Sequence, residues 1–166
     1  MPSVFKFNNN EIIDSSGKIT ATAFPSSCIL QVQVTTTDSV SQITSSSFTD
    51  ASGMSVNITP TKTGSKILLY LNFRFGNSSS SDNGYRILRD STALDLGGLD
   101  VQNLGNFHSA TFVDTSTTLL DTHGVTAGTQ ITYKMQAKRG VGTLYINARN
   151  DGHNVRNGSI IAMEIA

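Results

Sequence analysis

The sequence predicts an all-β protein: an antiparallel β-sandwich of jelly-roll type preceded by an extended N-terminal arm. Apolar residues recur with period two in one run after another, and Gly-, Asn- and Ser-rich turn signals separate the runs at short intervals. No long segment carries a convincing helical period, because Ser, Thr and β-branched residues interrupt every candidate. The polar share of the chain is mostly Ser, Thr, Asn and Gly, residues of turns and sheet surfaces rather than helix interiors. A chain of 166 residues is about one domain, long enough to bury roughly 70% of its unfolded surface.

Taken in order, residues 1–28 differ from the rest. Two small apolar knots, Val4/Phe5/Phe7 and Ile12/Ile13, stand between polar turns and end at Pro25. Such a segment cannot build a core alone, so it reads as an anchoring arm that adds strands or pockets to a partner. Cys28, at the seam, is expected to be a buried small apolar residue.

Residues 29–166 are the predicted head. Leu30, Val32 and Val34 open it with a strand. In Lys66 to Phe75 the odd positions Ile67, Leu69, Leu71, Phe73 and Phe75 form a core face, opposed by Lys66, Leu68, Tyr70, Asn72 and Arg74. Gly76 to Gly84 is then a solvent-facing tip. The stretch LGGLDVQNLGNFHSA reads as a long loop, with a short strand at Phe107 to Val113. Alternation returns in QITYKMQAK, with Ile131, Tyr133, Met135 and Ala137 inward, and again at Leu144, Ile146 and Ala148. The last strand sets Ile161, Met163 and Ile165 against Ile160, Ala162 and Glu164; it is apolar enough to be interior, with the first set towards the core.

Charge narrows the partners. Twelve basic residues balance twelve acidic ones and the pI is near 6.8, which asks for neither nucleic acid nor an anionic membrane. A single cysteine excludes an intramolecular disulfide framework and a thiolate zinc cluster. MPSVFKFNNNEIID lacks an apolar leader core, and no run approaches the ~18 residues of a membrane span, so a soluble, unprocessed chain without membrane insertion is expected.

Nor does catalysis declare itself. His108, His123 and His153 fit no HExxH pattern, GxSxG and a Walker loop are missing, and the Asp121/His123 and Asp151/His153 pairs lie in Gly-containing turns. Solvated loop histidines are the expectation. Acids are too sparse for a glycosidase pair, and Asp82-Asn83 and Asn150-Asp151 read as surface turns rather than calcium ligands. The expectation is a protein that is not an enzyme and takes no cofactor or metal.

Several stretches carry a resemblance: SSSFTDASGMSVNITPTKTGSKILLYLNF, YRILRDSTAL, DTHGVTAGTQITYKMQAKRGVGTLYIN and IIAMEI. Their order and spacing resemble a module of bacteriophage tail-fibre and other virion-surface proteins, over about Ile29 to Ala166. The resemblance implies a jelly-roll head akin to tumour necrosis factor and complement-type globular heads, trimeric, displayed at the virion surface, with no chemistry of its own. Because only a short arm precedes the head, a capsid decoration or cement protein fits as well as a fibre component. The arm would then hold capsid or tail proteins. The alternative is a tail-fibre tip or receptor-binding protein that recognises a host surface glycan or protein.

Two sets of residues follow for the head. Leu68, Tyr70, Tyr145, Ile160 and Ala162, on the off-core parity of their strands, are the expected homo-oligomer interface. Asn77, Asp82, Asn83, Tyr85, Asn154 and Arg156 are the expected ligand-facing loop residues.

Overall fold

A computed structural model of the chain describes residues 5–7, 10–13, 28–79, 81–94, 102–106, 112–149, 151–153 and 155–166, and at 5–7, 10–13 and 102–106 it describes the backbone alone. In the arm, β1 (Phe5–Phe7) and β2 (Asn10–Ile13) pair with each other as a separate two-stranded antiparallel sheet. Val4 lies outside the described residues, as do residues 14–27.

The regular elements described in residues 29–166 are all strands: β3 (Ile29–Thr37), β4 (Ser41–Ile43), β5 (Thr49–Ile58), β6 (Lys66–Asn77), β7 (Asp82–Arg89), β8 (Thr92–Ala93), β9 (Gln102–Asn106), β10 (Phe112–Asp121), β11 (Ile131–Lys138), β12 (Leu144–Ile146) and β13 (Gly158–Ile165). Along β6, β13 pairs with residues 66–72 and β12 with residues 75–77, so the two are one strand interrupted by an excursion; β3 and β4 flank them in the same way. The first sheet therefore runs β3/β4, β13/β12, β6, β10, and the second runs β5, β11, β7 with β8 and β9 beyond. From β4 onward the chain crosses between sheets at every connection except β7 to β8, β8 to β9 and the excursion from β12 to β13, which is jelly-roll wrapping.

Between the sheets lies one core. Ile67, Leu69, Leu71 and Phe73 of β6 and Ile131, Tyr133, Met135 and Ala137 of β11 are fully buried, as their period-two pattern predicts. Tyr85 and Ile87 of β7 complete the centre, with Tyr85 edge-on to Phe73 at 5.2 Å between centroids. Each such side chain contributes about 1.5–3 kcal/mol of burial. At one edge Gly53, at φ 70°, lets β5 bulge against the Thr37 side chain of β3, where no Cβ fits.

Four expectations need correction. In β13, Ile160, Ala162 and Glu164 are the buried set, while Ile161, Met163 and Ile165 face outward. Val32 and Val34 of β3 likewise point away from the core and are exposed. Within the stretch read as a long loop, β9 forms at Gln102–Asn106 and pairs with β7; the strand expected at Phe107 begins at Phe112 and runs to Asp121. Residues 107–111, His108 among them, lie outside the described residues. Cys28 is half-buried rather than buried, and its carbonyl accepts the Ala166 amide at 2.9 Å.

Candidate interaction surface

The reversed parity of β13 has a local cause at one end of the sandwich. Pro60 and Gly64 make the turn between β5 and β6, and its amides converge on the Glu164 carboxylate: Thr61 and Lys62 donate at 2.9 Å, the Ser65 hydroxyl at 2.8 Å and Gln31 Nε2 at 2.7 Å. Burial pushes the Glu164 carboxyl up, but these bonds outweigh it and hold it below the ordinary glutamate value. An acid with this many donors is stable inside and nowhere else on its strand, so it draws Ile160 and Ala162 inward with it.

The same turn brings His123, Ser65 and Glu164 together, a set with the residue types of a hydrolytic triad. Its hydrogen bonding is that of a brace. His123 Nδ1 accepts the Val125 amide at 3.0 Å, which leaves the neutral ring's proton on Nε2, facing Ser65 Oγ at 3.4 Å. Ser65 Oγ gives its own proton to Glu164 or to the Lys62 carbonyl at 2.7 Å, not to the histidine, and the residue is 1% exposed. The histidine is therefore not oriented as a base for the hydroxyl, and the buried hydroxyl is closed to a substrate. His123, expected in solvent, is buried; His153 is exposed, in the turn closed by Asp151. Close by, Asp121 takes both Arg89 Nη1, at 2.9 Å, and the buried Tyr133 hydroxyl, at 2.6 Å.

At the opposite end, the tip after β6 is knitted inward rather than presented. Asn77 donates to Asn83 Oδ1 at 2.7 Å and to Ser81 Oγ at 3.0 Å, and Asn83 Oδ1 also accepts the Gly140 amide at 3.2 Å. Gly140 passes so close to the Asp82 carbonyl that no side chain fits there. Asn77 and Asn83 are therefore buried, and the Tyr85 hydroxyl bonds Thr117 Oγ1 inside the core, so these three do not face a ligand. Asp82 and Arg156 are exposed, and Asn154 lies outside the described residues. Among the described residues no three His, Cys, Asp or Glu side chains group as metal ligands.

What remains open is the outer face of the first sheet. Cross-strand register lines up Val34, Ile161, Tyr70 and Thr118 in one row, and Val32, Met163, Leu68 and Leu120 in the next. Val34 is 55% exposed, Leu120 49% and Val32 47%, with Ile29 at 53% beside them, and the central residues are half-buried. A polar rim surrounds the patch: Lys66 at one end, and Asn72, Ser116, Ser159 and Thr36 at the other. Of the residues predicted for an interface, Leu68 and Tyr70 stand in these rows. Ile160 and Ala162 are excluded by their burial. Tyr145 faces outward but sits farther along, under Gly152 of the excursion. Val32, Val34, Leu120, Ile161 and Met163 were not singled out, since apolar residues at alternate positions ordinarily mean core.

No family model matches the chain, and no curated protein matches it. Among solved structures it is similar to the vertex protein P5 of PRD1, at 15% identity and a TM-score of 0.46, over 84% of this chain and 99% of that one. It is also similar to VP2 of infectious bursal disease virus, at 14% identity and a TM-score of 0.44, over 82% of this chain and 36% of that one. A third is the enzymatically active domain of tailspike protein 4 of bacteriophage CBA120, at 17% identity and a TM-score of 0.26, over 77% of this chain and 19% of that one. At these identities and scores the likeness says nothing about what this chain binds or does.

Proposed function

We propose that the protein is a non-enzymatic virion structural component: an oligomeric, trimeric jelly-roll head (residues 29–166) at the virion surface, anchored to capsid or tail proteins by its arm (residues 1–28). One observation carries the reading. The polar constellations that might have been sites, at Glu164 and at Asn77, are spent on bracing the fold, while a sheet face is left apolar and open. That is the chemistry of a part that assembles rather than one that turns over a substrate. The virion-surface resemblance of the head sequence supports the setting. Recognition of a host glycan is the weaker reading, because three of the loop residues it would use are buried.

The test is quantitative mass spectrometry of purified particles against their major capsid protein. Copy numbers comparable to the capsid protein make this a decoration or cement component, a few copies per particle place it in the tail, and absence from particles ends the virion reading. Removing residues 1–24 is expected to leave a folded head that no longer enters particles; full incorporation of the truncated chain overturns the anchoring role.

A further inference from the structure

The outer face of the β3–β13–β6–β10 sheet has a composition and border that fit a particular occupant. Four of its apolar residues, Ile29, Val32, Val34 and Leu120, are each about half exposed and lie together, the kind of contiguous apolar patch that marks an interaction surface. Centre and rim follow interface anatomy, with Leu, Val, Ile, Met and Tyr inside and Asn, Ser and Thr around them.

The patch runs without a break into an unguarded edge. β3 is a nine-residue strand, ILQVQVTTT, with no charge, proline or glycine, and among the described strands it hydrogen-bonds only β13. Natural edge strands are normally protected by lysine, proline or a covering segment, and the sequence of β3 carries neither lysine nor proline. Cations are too few for a lipid surface: Lys66 is the one basic residue in the described rows of the patch and its rim. A chain of zero net charge meets no long-range repulsion from its own copies.

We infer that this face is a contact between copies of the chain, in which the Val32 and Val34 rows of one copy cover the apolar sheet face of another. This deepens the oligomeric part of the proposed function and is independent of its virion part. The surface differs from the predicted one: Leu68 and Tyr70 belong to it with Ile161 and Met163, whereas Ile160 and Ala162 do not.

Sedimentation velocity of the full chain at micromolar concentrations tests it. The wild type is expected to sediment as an oligomer. Val34→Lys and Leu120→Lys, each at a position about half exposed in one copy, should raise the dissociation constant by at least about 100-fold, the effect of leaving a charge in an apolar contact. Thr132→Lys, on the outer face of the other sheet, should leave it unchanged. Val34→Ser gives a smaller shift in the same direction and keeps the test usable if a lysine variant fails to fold. A monomeric wild type overturns the inference, as does an oligomer that Val34→Lys, Leu120→Lys and Val34→Ser leave as tight as before. Either result leaves the particle copy number, and with it the virion reading, to be decided separately.

Discussion

The two sheets of the sandwich share a core but turn opposite surfaces to their surroundings. On the second sheet the outer face is polar and connected: Lys134 bonds Asp50 at 2.8 Å, Gln136 bonds Asp50 at 2.6 Å, and Arg86 bonds Gln136 at 2.8 Å. Arg86 also lies over the Phe48 ring, 4.4 Å from its centroid. Lys134, then Gln136, hold the Asp50 carboxyl below the usual carboxylate range. The first sheet shows the reverse. Gln31 and Glu164 are hydrogen-bonded at the sandwich end, and the central outward rows are mostly Val, Ile, Leu, Met and Tyr, with polar residues at their ends. A face whose polar groups satisfy one another is finished in water, whereas a contiguous apolar face is the kind that interaction surfaces show.

The largest effect that would break this contrast is at Glu164. Glu164→Gln puts an amide among the Thr61, Lys62 and Ser65 donors, so at least one buried donor loses its acceptor, at a cost of about 3 kcal/mol. Thermal unfolding of the variant is expected roughly 6 to 12 °C below wild type at neutral pH. The pH dependence follows from the direction of the shift. A carboxyl depressed below the ordinary value of 4.5 contributes stability that is present above that value and lost as pH falls through the lower folded-state value. The wild-type advantage over the variant should therefore shrink below about pH 4.5, a difference that cancels the parallel titrations of Asp50 and Asp114. A constant difference from pH 7 to pH 3 would mean that the carboxylate charge is not what holds the turn.

Where one parity was apolar and the other polar, the sequence could be read directly. The odd positions of β6 and β11 are core because Lys66, Asn72, Lys134 and Gln136 leave no alternative on the even side. SIIAMEIA offers apolar residues on both parities, and nothing local reveals that Glu164 meets five donor groups about a hundred residues away in sequence. Ile160 and Ala162 are misread as outward for the same reason: their assignment follows the parity of β13, and that parity is decided by a turn between other strands. Loop residues misled through composition. Asn and Ser after β6 read as solvent-facing, yet Asn77 and Asn83 use their amides to tie the tip to the Gly140 loop.

An intermediate effect sharpens the comparison from inside. Tyr133 points from the second sheet into the core, and its hydroxyl donates to Asp121 of the first. Tyr133→Phe keeps the ring and removes that bond. The expected cost is about 1.5 kcal/mol by chemical denaturation with an unchanged m-value, since the Arg89 contacts still satisfy Asp121. A neutral result would show that this bond adds nothing to the packing and to the Tyr85–Thr117 and Arg89–Asp121 contacts that also join the sheets.

The smallest effect separates the faces most cleanly. Asp50 is 56% exposed and Lys134 30%, so solvent screens their pair, and a double-mutant cycle of Asp50→Asn and Lys134→Met should return a coupling of about 0.5 kcal/mol that fades at high salt. Gln136 still reaches residue 50 in the single variants, which keeps the loss small. On the first sheet the matching experiment is Ile161→Thr, measured for thermal stability over a range of protein concentrations. In a lone copy it should be nearly neutral, because threonine keeps the β-branched shape; with assembly its cost should grow as the concentration rises. A polar face responds to salt and an assembling face responds to concentration. If the Asp50–Lys134 coupling ignores salt, or the Ile161 variant ignores concentration, the distinction between the two outer faces fails.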